Sequence, residues 1–179
     1  MRDYSFLLGL LLIASSLILV AGVDVPAELL AKALNYAQNN MPEPEMTVQR
    51  LQAGDIDTLY KTAKSLNENE GDDRFASIMI WHILADGDAQ HILSQVALGF
   101  TYAEEDKERA IDYFKLAGEG GPHHAALFNA GRLLVDTGDY AGALAYLRAA
   151  ANLSESQPRY AQSTLTVTSR DAYEALSLD

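Results

Sequence analysis

Cysteine is absent from the 179 residues, and basic residues are scarce: 13 Lys and Arg stand against 25 Asp and Glu, a formal net charge of −12. Without a thiol there is no disulfide framework, no thiolate zinc site, no iron–sulfur cluster, no cysteine nucleophile and no lipid-anchored cysteine. With so few cations there is no electrostatic footprint for phosphate contacts, which excludes general nucleic-acid binding. Strand-like alternation is missing too. The one β-branched run, Thr164-Leu165-Thr166-Val167-Thr168, reads as a helix break rather than a sheet. No Gly-x-Ser-x-Gly, Walker or dinucleotide fingerprint occurs.

Charge is lacking altogether from Phe6 to Val23, and small residues Val20-Ala21-Gly22 follow the most apolar part of that run. The pattern predicts a signal peptide over residues 1–22, cut after Gly22 or Ala21, and hence a secretory-pathway (endoplasmic reticulum lumen or extracellular) or periplasmic protein. The rival is an uncleaved anchor, because 18 uncharged residues approach the ~20 that span a bilayer. Gly9, Ser15 and Ser16, and the absence of flanking Lys or Arg clusters, weigh against it. Asn152-Leu153-Ser154 makes Asn152 a glycosylation candidate in a eukaryotic lumen.

What is present is a globular composition, 49% apolar and 21% charged, in a chain long enough for one domain and a remainder. Leu29, Leu30, Ala33, Leu34 and Ala37 recur at helical spacing after Pro26 and predict an N-terminal helix. Asn39-Asn40-Met41-Pro42-Glu43-Pro44-Glu45 then breaks the helix and reads as a semi-rigid linker. Beyond it the sequence repeats. Trp81-His82-Ile83-Leu84-Ala85 matches Tyr113-Phe114-Lys115-Leu116-Ala117, and Ala97-Leu98-Gly99 matches Asn129-Ala130-Gly131, both at an offset of 32. The segment 110–117 matches 143–150 at an offset of 33. A period of this length holds two helices and two short turns. It places first helices near 55–67, 88–103 and 122–136, with their partners near 74–85, 107–117 and 140–152.

The expected fold is therefore all-α, a right-handed α-α solenoid of about three helical hairpins with an N-terminal helix and a short C-terminal helical cap. Its divisions are a signal peptide (1–22), N-terminal helix and linker (23–46), repeats (47–154) and capping segment (155–179). Gly99 and Gly131 fall inside helices, where glycine costs ~1 kcal/mol against alanine, so a neighbouring helix must approach them closely. Ala85, Ala117 and Ala150 supply similar close contacts, while Trp81, Tyr113 and Tyr146 fill the space between pairs.

Ala97-Leu98-Gly99 with Tyr102, Asp106, Ala110, Tyr113-Phe114, Ala117 and Gly120 resembles the Sel-one-like repeat, and the copy with Gly131, Gly138-Asp139-Tyr140, Tyr146 and Ala150 is similar to a plain tetratricopeptide repeat. The resemblance covers about residues 53–152 and implies non-enzymatic adaptor work, the capture of a protein or peptide partner on the concave face of a solenoid. Helical offsets from the two glycines put Leu93, Val96, Phe100, Phe128, Arg132 and Val135 on that face, with Tyr60 and Asn67 from the first repeat. Apolar anchors around Arg132 would suit a peptide carrying a carboxylate. The other reading of Phe100 and Phe128 is ordinary core beneath a terminal segment.

The acidity has an address in this frame. Glu68, Glu70, Asp72, Asp73, Glu104, Glu105, Asp106, Asp136 and Asp139 fall in successive turns along one edge, which keeps the chain soluble or meets a basic partner. No metal and no cofactor is expected: His123 and His124 are adjacent and diverge by ~100° on a helix, and His82 and His91 lack a carboxylate at ligand-like spacing. Asp86-Gly87-Asp88 lacks the later ligands of a calcium loop. A small hydrolase-type enzyme would need a His paired with Asp or Glu across an apolar pocket, for which the sequence gives no constellation.

Overall fold

A computed structural model describes residues 25–86 and 90–156, and every regular element among them is an α-helix. They are α1 (Ala27–Asn40), α2 (Pro44–Gln52), α3 (Ile56–Leu66), α4 (Asp72–Asp86), α5 (Ile92–Tyr102), α6 (Lys107–Gly120), α7 (His124–Thr137) and α8 (Tyr140–Ser156). The leader at 1–22, the Gly87-Asp88 pair and nearly all of the segment 155–179 lie outside the described residues. The chain divides into two compact units between Ser94 and Gln95, inside α5.

In the first unit α1 packs on α2, α3 and α4, while α3 packs on α2 and α4. Leu30, Ala33, Leu34 and Ala37 form the buried face of α1, each at 5% exposure or less. Full burial of a Leu side chain stabilises by roughly 1.5–3 kcal/mol, so α1 is a structural member of this unit. Lys32 adds an ion pair to Asp73 at 3.0 Å, and the Tyr36 hydroxyl donates to the Ser65 carbonyl at 3.3 Å. The break read from the two prolines falls at residues 41–43, and a further helix, α2, begins at Pro44. Pro44 occupies the first turn of α2, where a missing N–H and a fixed φ cost nothing, and the Thr47 amide donates to the Glu43 carbonyl.

Two Gly-Asp pairs close one helix and open the next by the same bonds. Gly54 and Gly138 adopt left-handed φ of 74° and 85°. The following aspartate amides reach back to the carbonyls of Arg50 and Leu134, at 3.0 and 2.9 Å. Asp55 and Asp139 then accept, through their side chains, the amides of Thr58 and Gly142 at 3.1 and 2.9 Å. Asp106 does the same for the Arg109 amide without a preceding glycine. Asp72 differs: it is the first residue of α4 rather than its cap.

In the second unit α7 packs against both α6 and α8. A Cβ on Gly99 would stand 2.7 Å from the Phe114 ring, and one on Gly131 would stand 2.6 Å from Leu147 Cγ. Ala110, Phe114 and Ala117 of α6 and Ala143, Leu147 and Ala150 of α8 are buried at the same helical spacing, offset by 33 residues. A further 33 back stand Ser77, Trp81 and Leu84, also buried. The burial pattern thus groups Trp81 with Phe114 and Leu147. Tyr113 is buried and stacks on Tyr102, whereas Tyr146 is half-buried with the Lys115 ammonium 5.8 Å from its ring centroid.

Candidate functional site

Helix α5 is held at its start by His91. The His91 amide donates to the Leu84 carbonyl at 2.9 Å, its Nδ1 lies 2.9 Å from Ser94 Oγ, and its Nε2 lies 3.5 Å from Asp57 Oδ1. The ring meets Tyr60 edge-on at 5.1 Å, and Tyr60 in turn lies 6.5 Å from Trp81. Burial pushes the His91 imidazole below its ordinary pKa, against the opposing pull of Asp57, and pushes the Tyr60 phenol up. A serine, a histidine and a carboxylate thus meet. Ser94, however, is fully buried, so the trio anchors the first turn of α5 and offers no accessible nucleophile.

Thirty-two residues on, His123 takes the equivalent place at the start of α7, its Nδ1 accepting the Ala126 amide at 3.3 Å. His124 behind it is 2% exposed, stacks parallel to Phe128 at 6.4 Å, and is held below the ordinary imidazole pKa by burial and by the neighbouring His123. The sequence places His123 and His124 at a helix start but sets His91 inside a helix near 88–103, whereas that helix begins at Ile92 and His91 holds its first turn. The common spacing of 32 from His91 to His123 carried the signal.

One side of α5 is sealed and the other is open. Ser94, Gln95, Val96, Leu98 and Gly99 are buried. Leu93 and Phe100 stand on the opposite stripe, 41% and 53% exposed, with half-buried Ala97 between them. The Phe100 ring keeps one edge on Phe114, centroids 5.1 Å apart at 82°. An aromatic and a leucine two turns apart on a fixed helix are anchors of the kind that a partner's apolar side chains cover.

The remaining residues of the expected face lie elsewhere. Val96 is buried at 8%, and Phe128 at 6% joins Leu147 and Ala150 in a core cluster with Val135 packed at its margin. Tyr60 and Asn67 are half-buried, Asn67 at the C-terminal end of α3. Arg132 is exposed, yet its guanidinium already meets Asp136 at 3.4 Å, and Lys107 approaches the same carboxylate at 3.9 Å. Its charge is thus answered internally.

The carboxylates expected along one edge fall into two groups. Asp73, Asp106, Asp136 and Asp139 have internal tasks: ion pairs to Lys32, Lys107 and Arg132, and caps on α6 and α8. The side chains of Glu68, Glu70, Asp72, Glu104 and Glu105 are exposed and engage no described residue. Asn152 is exposed on α8. Among the described residues no group of three or more His, Asp or Glu is placed to hold a metal ion, and no helix is long and apolar enough to cross a membrane. No family model, no curated protein and no solved structure matches the chain.

Proposed function

We propose that this chain is a non-enzymatic protein-interaction module that holds a protein or peptide segment against the open stripe of α5. Its hairpins are taken as copies of one helical repeat, of the Sel-one-like and tetratricopeptide kind, in a right-handed α-α solenoid. The observation that carries the reading is the division of α5: Gly99 on one side is closed over by Phe114, while Leu93 and Phe100 on the other meet solvent. A helix fixed by close packing presents its exposed anchors without a large ordering cost, the condition for economical recognition. The uncharged leader at residues 6–23 supports work in the secretory route or a periplasm, on a protein partner rather than a nucleic acid.

Photo-crosslinking tests the reading. A benzophenone amino acid in place of Leu93 is expected to trap one reproducible protein in the native compartment, and the same probe at Asp112 on exposed α6 is not. Equal yields at both positions, or a small molecule alone on α5, would overturn it.

A further inference from the structure

Helix α4 is apolar on both of its faces. Ala76, Ile80, Trp81 and Leu84 are buried, as a core helix requires, yet Phe75 is 65% and Met79 37% exposed. Phe75, Met79 and half-buried Ile83 stand at i, i+4 and i+8 and form one stripe. Carboxylates bound it at both ends. Asp72 is one turn before Phe75, with Glu68 and Glu70 in the preceding turn, all three exposed and without a described partner. Asp86 is one turn after Ile83 at the negative end of the helix dipole, and one of its oxygens lies 3.0 Å from His82 Nδ1. Arg74 is the one Lys or Arg between Glu68 and Asp86, against five carboxylates, of which Asp73 is paired with Lys32.

We propose that this outer face of α4 docks a basic amphipathic helix of another protein, its apolar side covering Phe75 and Met79 and its Lys or Arg residues meeting Glu70 and Asp72 at one end and Asp86 at the other. The charge pattern selects that occupant. Cations beside Glu70 and Asp72 answer charges that no described residue pairs, and a cation beside Asp86 adds to a carboxylate at the negative end of the helix dipole. A second copy is a poor fit, because a two-fold pairing of α4 with itself would bring Asp72 against Asp86 between chains of net charge −12. This surface is distinct from the stripe of α5, and its test does not depend on that reading.

The test uses the full-length chain and a fluorescent synthetic peptide of Leu and Lys, about 18 residues or five helical turns, read by anisotropy. The expected binding weakens about tenfold in Phe75→Ser/Met79→Ser, and likewise in Glu70→Gln/Asp72→Asn. It also weakens between about 50 and 300 mM salt, since exposed charges are screened over that range. Peptides with Ser for Leu or Glu for Lys are expected not to bind. The control Asp112→Asn/Glu119→Gln on α6, with the same change in net charge, should bind as the parent does. Equal weakening by that control, meaning mere attraction to an acidic chain, would overturn the proposal. So would unchanged binding by Phe75→Ser/Met79→Ser, or a dimer in sedimentation that this pair of substitutions dissolves.

Discussion

The ring of Phe114 lies across Gly99 so closely that a Cβ on the glycine would stand 2.7 Å from two of its atoms. Leu147 repeats the relationship with Gly131, and the two pairs are offset by 32 and 33 residues along the chain. Repetition of sequence is here matched by repetition of a close approach. The two sites differ in what can yield. All three nearest atoms at Gly99 belong to the Phe114 ring, whereas Gly131 also faces the Leu147 backbone nitrogen at 3.2 Å.

That difference predicts a double-mutant cycle. Gly99→Ala should destabilise by about 1 kcal/mol, an overpacking cost of roughly 1–3 kcal/mol less the helix-propensity gain of about 1 kcal/mol. Gly99→Leu should cost a few kcal/mol more clearly in the same direction. Phe114→Leu in the Gly99→Ala background should recover part of the loss, while Leu147→Ala beside Gly131→Ala should recover less, because a backbone atom cannot be trimmed. Urea midpoints of single and double variants measure both couplings.

The division between capping and unengaged carboxylates predicts unequal effects of one kind of substitution. Asp55→Ala, Asp106→Ala and Asp139→Ala each remove a helix cap and should each cost about 1 kcal/mol. Glu104→Ala and Glu105→Ala remove exposed side chains with no described partner and should stay within about 0.5 kcal/mol. Thermal melts of the five variants would show the contrast.

Ser77 occupies the buried position that Ala110 and Ala143 fill 33 and 66 residues further on, and its hydroxyl finds no hydrogen-bond partner among the described residues. An unsatisfied buried hydroxyl costs roughly 1–3 kcal/mol, so Ser77→Ala should raise stability by about 1 kcal/mol. A lower urea midpoint in the variant would contradict this.

Acid should weaken the fold in two stages. His91 and His124 are held below their ordinary pKa of 6.5, so between that value and their folded values the unfolded chain binds more protons. Their contribution is complete above pH 6.5 and is lost as pH falls below it. Asp55 and Asp73 follow at lower pH. Burial pushes the Asp55 carboxyl up, but bonds from the Thr58 amide and hydroxyl prevail, and Lys32 and Asn69 hold Asp73 down. Both contributions are present above 3.8 and vanish as pH drops through the folded values. Denaturation midpoints measured from neutral pH downward should fall in the parent, and the first stage should flatten in His91→Asn/His124→Gln.

The helices were legible because the punctuation is local. Gly54-Asp55 and Gly138-Asp139 announce an end and a start within two residues, and the apolar spacing between them can only be helical. Helix α2 escaped because Pro42 and Pro44 look alike in sequence, although a proline in a first helical turn obstructs nothing. Which side of a helix faces solvent was harder to read. Helical offsets from Gly99 and Gly131 reach exposed Phe100 and Arg132 one residue on, but also Val96 and Phe128 three residues back, which are buried. Glycine marks where one neighbour approaches and is silent about the others. The pairing of Arg132 with Asp136 was visible as an i, i+4 pair, and so was the stripe of Phe75 and Met79. Without a burial pattern, nothing in the sequence told that stripe from core.

The central claim is that the open stripe of α5 serves recognition while its closed side serves folding. Leu93→Ser and Phe100→Ser should leave the melting transition close to the parent's, with about 0.5–1.5 kcal/mol lost for Phe100 through its edge contact with Phe114. Retention of the partner trapped at α5 should fall about tenfold or more in both. Quantitative retention by the folded Leu93→Ser and Phe100→Ser proteins, measured beside their melts, tests this most directly. Loss of retention with the fold intact is the predicted result; undiminished retention by both folded variants would contradict it.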